Sequence, residues 1–212
     1  MTVETAGRGT SIAGGVFAVS FFVGLFLVGD QAGAFADSDR AYAELFADTS
    51  HRVEDLTGSV LLIVSAIAFG VFVQFMAPAL DPGASRYAWT VVVRVSGLLA
   101  AAAILVAGAA FATVPASLVI GDFFDDPGIV TAQNLLPSLG YVMLVAGAMI
   151  PAVVVMVGST RLGLYSQWFV WVTPVVAGLL IVTAPMVSAM ALLPVWVAVA
   201  AVLQSRNRQT PT

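Results

Sequence analysis

The chain of 212 residues has no cysteine, no lysine and one histidine, His51. Without thiols it forms no disulfide, runs no thiol catalysis and binds neither an iron–sulfur cluster nor a thiolate zinc ion. Without lysine it carries no Schiff-base cofactor. A single histidine excludes bis-histidine haem, a histidine-rich copper or zinc site, and an intramembrane Ser–His dyad, since His51 belongs to a polar segment. No Gly-rich phosphate loop of the Walker type is present. These absences point away from an enzyme and leave no resident cofactor or metal to expect.

Charge is scarce as well. Only 9% of residues are charged while 60% are hydrophobic, and the mean hydropathy is +1.01. A soluble domain is usually about 25% charged, so the expected class is an all-α, polytopic transmembrane bundle. Six apolar segments approach the ~20 residues that a membrane helix needs. They cover residues 11–29, 58–80, 88–114, 135–158, 165–183 and 186–203. The last two form one nearly continuous apolar stretch, and a single helix of that length would be about twice the hydrocarbon thickness. A helical hairpin turning at Pro185 is the expected solution.

The few charges are sorted. Residues 30–57 hold seven of the twelve acids against Arg40 and Arg52, and the connection after the third span adds Asp122, Asp125 and Asp126 with no base. The other six arginines, Arg8, Arg86, Arg94, Arg161, Arg206 and Arg208, fall in the remaining polar segments or at the edges of spans. Basic residues are retained on the cytoplasmic side. The expected topology is six spans of the cytoplasmic membrane with both termini inside and the acidic segments outside. Arg8, the apolar run over 12–28 and the small residues Ala34 and Ala36 also fit a secretory signal peptide. The length of that run favours a retained first span.

Several polar residues are candidates for a site. Arg94 lies about two turns inside the third span, where it either snorkels to lipid phosphates or contacts a solute. Gln74 reaches a similar depth from the second span, and Asn134 and Tyr141 stand at the outer part of the fourth. Together Gln74, Arg94, Asn134 and Tyr141 would line a pore. Residues 37–56 read as an amphipathic helix on the outer surface, with Tyr42, Leu45 and Phe46 on its apolar side. His51 and Asp55 are spaced i, i+4 and with Asp48 form a weak candidate cation site. Asp122, Asp125 and Asp126 could draw a cation to an outer mouth. Pro151, Pro174 and Pro194 are expected to bend the last three spans. The third span is rich in small residues, among them Gly97, Ala100 and Gly108, and is expected at the centre of the bundle.

One set of features runs through most of the chain: Tyr42, Ala43, Asp48 and Arg52 before the second span, an Ala-rich third span, Asn134 with Gly140 and Tyr141, a basic turn from Arg161 to Gly163, Gln167 with Trp168 and Trp171, and Leu193-Pro194 with Trp196. In these the chain resembles a group of small six-span membrane proteins common in high-GC Gram-positive bacteria. No activity is established for that group, so the resemblance implies an architecture and no catalytic role.

The leading functional expectation is a non-enzymatic membrane protein, an accessory subunit or interaction protein. Its partners would be the lipid bilayer and a membrane protein or a second copy of itself, with no nucleic acid. The alternative is a small-solute or ion permease entered through the acidic outer mouth.

Overall fold

A computed structural model describes residues 3–29, 48–77, 84–120, 127–163, 165–183 and 190–209. Among them every regular element is a helix: α1 (Val3–Leu27), α2 (Thr49–Met76), α3 (Ala84–Ile120), α4 (Pro127–Val142), a π-helical link (Met143–Ala148), α5 (Met149–Thr160), α6 (Gln167–Thr183) and α7 (Leu192–Gln209). Four stretches are long and apolar enough to cross a membrane: Arg8–Leu27, Thr49–Met76, Tyr87–Ala116 and Leu135–Thr160. Gln167–Thr183 and Leu192–Arg206 are apolar but shorter.

The helix ends follow from local chemistry. Asp48 caps α2, its carboxylate accepting the Ser50 N–H at 2.9 Å. That hydrogen bond is the main reason the Asp48 carboxyl is held below its usual value. Residues 49–56 are therefore the first two turns of α2 rather than part of a separate outer helix, and residues 30–47 lie outside the described residues. At its other end α2 stops at Met76, because Pro78 disfavours helical backbone at the residue before it and Ala77 is extended, with ψ 125°.

Pro151 has a different effect. Its ring crowds the carbonyl four residues back, at Gly147, and the chain relieves this by widening into the π-helical link, where the Met149 N–H bonds Leu144 O five residues back. Pro194 is the third residue of α7 and occupies a first turn, where no helical hydrogen bond is lost. The turn after α5 closes on Gly163, whose φ of 69° suits glycine. α6 ends at Thr183 and α7 begins at Leu192, and the expected turn residue Pro185 lies outside the described residues.

The rods pack in chain order, with α4, the link and α5 forming one continuous rod. α1 lies on α2, α2 on α3, α3 on the α4–α5 rod, α5 on α6 and α6 on α7, and α7 closes back onto α1. Close approaches set the register. Gly24 faces Gly58, with 2.8 Å from an added Cβ to the Gly58 carbonyl, while Gly9 faces Phe75. Val73 packs on Gly97 and Ile63 on Gly108, Ala103 faces Gly147, Val93 faces Gly158, and Gly14 meets Ala201. In each pair one index rises as the other falls, so α1, α2, α3 and the α4–α5 rod are successively antiparallel. Small residues bring these backbones together, as expected where hydrocarbon rather than water surrounds the helices. α3 is flanked by α2 and the α4–α5 rod.

The interior is filled by large apolar side chains. Phe17, Phe69 and Phe72 are wholly buried, with ring centroids of Phe17 and Phe69 4.9 Å apart. Leu62, Ile104 and Met156 complete that core. Between α6 and α7 a second aromatic group forms, with Trp196 stacked on Phe169 at 5.7 Å and its Nε1 donating to Thr173 Oγ1 at 3.1 Å.

Candidate functional site

The register gives the bundle two ends. One carries the C-terminus of α2, the turn at Arg161 and the exposed Arg8 and Arg206; the other carries Asp48, Glu54 and Asp55, with His51 and Arg52 among them. Tyr87, Trp168 and Trp171 are exposed at the arginine-bearing end, Trp171 by 71%, in the manner of an interfacial aromatic belt.

α2 is enclosed by its neighbours except along one stripe. Val53, Thr57, Val60, Val64, Ile67, Val71 and Gln74 are all exposed and follow one another at alternating intervals of four and three residues. That is the heptad spacing of a helix-packing seam, filled here mostly by β-branched side chains. A groove of about 660 Å³ runs along one flank, lined by Ile67, Val71, Leu98, Ala101 and Leu105, with Gln74 at its end. A second groove of about 380 Å³ lies on the α1 flank, where Ile12 and Val16 face Val64 and Phe75. Gln74 is the one polar side chain in these two linings.

Its depth follows from the register. Val73 lies on Gly97 and Val93 on Gly158, which sets Gln74 at the level of Ser96 and Arg161 at the level of Thr90. Six residues of α3 correspond to about 9 Å between Gln74 and Arg161, whereas the contact of Gly9 with Phe75 sets Arg8 about two residues, or about 3 Å, from the level of Gln74, which points outward from the last turn of α2.

At the arginine-bearing end the last carbonyls of α2 are satisfied by side chains from other helices. Gln204 of α7, 1% exposed, donates from Nε2 to Met76 O at 3.1 Å. Arg94 of α3 donates from Nη2 to Ala77 O at 3.4 Å. Tyr165 donates its hydroxyl to Met76 Sδ at 3.1 Å. A terminated helix leaves four carbonyls without helical partners and a partial negative charge, which a guanidinium suits. Arg94 thus serves the end of α2 directly.

Of the four proposed pore residues, the three whose side chains are described are not gathered. Gln74 is on the outer face of α2 and Arg94 is half-buried at its end. Tyr141 is half-buried against the core near the level of Ala107, about 20 Å along the axis from Arg94. The side chain of Asn134 lies outside the described residues, as do Tyr42, Leu45, Phe46, Asp122, Asp125 and Asp126. His51 lies 3.6 Å from Glu54, while Asp55 is buried at 2% exposure on the inner side of α2. Among the described residues no group of three potential metal ligands occurs.

Three contributors escape a reading of the sequence: Gln204, Thr173 and the outward stripe as a unit. Gln204 is an amide near the end of an apolar run and resembles a boundary residue until Pro78 is recognised as the stop of α2. Which side of α2 faces outward is fixed only by the packing of α1 and α3.

No family model, curated protein or solved structure matches the chain.

Proposed function

We propose that the protein is a non-enzymatic integral membrane protein, an accessory or interaction subunit whose α2 stripe holds a partner helix within the bilayer. In this reading the six rods cross the cytoplasmic membrane with the arginine-bearing end and both termini inside, following the retention of basic residues on that side. The outer segments would then present the acids of residues 30–57 and Asp122, Asp125 and Asp126.

The outward amide of Gln74 carries the reading. An amide directed outward from the last turn of a membrane helix is suited to a hydrogen bond with a polar side chain on a neighbouring helix. The heptad stripe supplies the apolar remainder of such a contact, and a single polar residue within a seam fixes its register. The permease alternative needs Gln74, Arg94, Asn134 and Tyr141 around one path. The outward Gln74 and the carbonyl contact of Arg94 lend it no support.

Native mass spectrometry of the protein extracted in mild detergent tests the proposal. The wild type should carry a stoichiometric membrane partner or a second copy, and Gln74→Leu should lose it while keeping its helix content. A monomer in both forms, or a complex untouched by Gln74→Leu, overturns it.

A further inference from the structure

We propose that the partner of the α2 stripe is a second copy of this chain, related by a two-fold axis along the membrane normal, with a ridge on each copy seated in the α2–α3 groove of the other. This rests on the reading above that the stripe receives a helix, and it names the occupant.

Shape is the first argument. Ile67, Val71 and Phe75 line both the groove of about 660 Å³ against α3 and the groove of about 380 Å³ against α1, so they form a ridge between two hollows. The larger hollow exists because its walls carry small residues. Gly70 stands at the level of Ala101, with 3.7 Å from an added Cβ to the Ala101 Cβ, and Ala66 and Ala102 belong to the same lining. Ridge and hollow therefore lie side by side at one depth. Two copies of one chain enter the membrane with the same topology, so their two-fold axis runs along the normal and each residue meets the other copy at its own depth. Under that axis, the displacement that carries one ridge into the second copy's hollow also carries the second ridge into the first hollow. A ridge and hollow at different depths would not close in this way.

Chemistry is the second argument. A two-fold sets like groups against one another, so a charged stripe would repel its mate. The stripe and the groove hold no charged side chain. Thr57, on the stripe, gives its hydroxyl to Val53 O at 2.7 Å. Gln74 is exposed at the end of the same groove, seven residues beyond Ile67 and so on the same side of α2. Its amide both donates and accepts, so two Gln74 side chains brought to one depth complete each other. A partner of another sequence would have to supply a matching polar group, whereas a second copy brings it by symmetry. Val64, Ile67 and Val71 are β-branched and have little rotamer freedom to lose on contact.

The test expresses full-length chains with two different tags in one cell, and reads co-purification in mild detergent, native mass and crosslinking in the native membrane. The chain has no cysteine, so Ile67→Cys and Val175→Cys each carry one thiol, on the ridge and on the exposed face of α6. The two tags should co-purify in a particle of twice the monomer mass. A short membrane-permeant bismaleimide should join two copies through Ile67→Cys and not through Val175→Cys. Gln74→Leu should weaken the association about tenfold, the scale of one interhelical side-chain hydrogen bond in a membrane. Gly70→Leu, which fills the groove from a position with room for a side chain, should weaken it at least as far. Both variants should keep the wild-type helix content by circular dichroism, which separates lost association from lost folding.

A single tag accompanied by a different protein in stoichiometric amount, released by Gln74→Leu, overturns the second copy and leaves the stripe reading standing. A lone monomer, its ridge covered by lipid alone, overturns both. Equal crosslinking at Ile67→Cys and Val175→Cys, or a dimer indifferent to Gly70→Leu, overturns the ridge-in-groove contact.

Discussion

Gln204 and Arg94 show how single polar side chains are used when a helix ends inside other helices. Replacing Gln204 with Leu leaves the Met76 carbonyl unpaired in an apolar setting, which costs about 1–3 kcal/mol. Thermal melting in detergent should report that loss, and a Gln204→Leu protein that melts like the wild type would show that the carbonyl needs no partner. Asp48 acts at the opposite end of α2. Its carboxyl is held low by the Ser50 N–H, so its cap is intact at neutral pH and is lost as pH falls through the folded-state value, below the usual carboxylate range. Hydrogen exchange at the Ser50 amide should be faster in Asp48→Ala than in the wild type at pH 7, and the difference should vanish in acid. A difference that does not shrink as the carboxyl is protonated, at pH below the usual carboxylate range, would contradict the capping account.

At the scale of elements, close approach between helices is the organising feature. An alanine at Gly24 would place its Cβ 2.8 Å from the Gly58 carbonyl, a backbone atom that can move only if α1 and α2 separate. Gly24→Ala is expected to destabilise the bundle by about 1–3 kcal/mol. Gly178→Ala meets nothing within 4 Å on α6 and is expected to be neutral or stabilising, since alanine favours helix. Melting temperatures of the two variants check this, and equal effects would contradict the packing described. Much of the element pattern was legible beforehand: apolar runs located all six rods. The ends were less legible. The apolar run alone carried the second span past Pro78, because hydropathy does not register the backbone restriction that proline imposes on Ala77. The π-helical link was invisible for a related reason, since Pro151 signals a disturbance but not how the backbone will absorb it. The polar site was the least legible part. Gln74, Arg94 and Tyr141 could be singled out as unusual, but their separation in depth and direction depends on the register of glycine contacts between helices.

For the whole molecule, segregated charge becomes two chemically distinct ends of a helical bundle, with four helices long enough to cross a membrane and two shorter ones completing the ring. The native chain has no cysteine, so one introduced thiol reports its own location. Ser166→Cys should react with an impermeant maleimide only from the cytoplasmic side, and Thr49→Cys only from outside. Labelling of both from one side would contradict the proposed topology. The central claim is that the α2 stripe receives a partner helix in the bilayer. Its most direct test is photo-crosslinking in native membranes, with a benzophenone side chain at Ile67 on the stripe or at Val175 on the exposed face of α6. The account predicts a discrete protein adduct from Ile67 and none from Val175; no protein adduct from Ile67, or the same adduct from both positions, would contradict it.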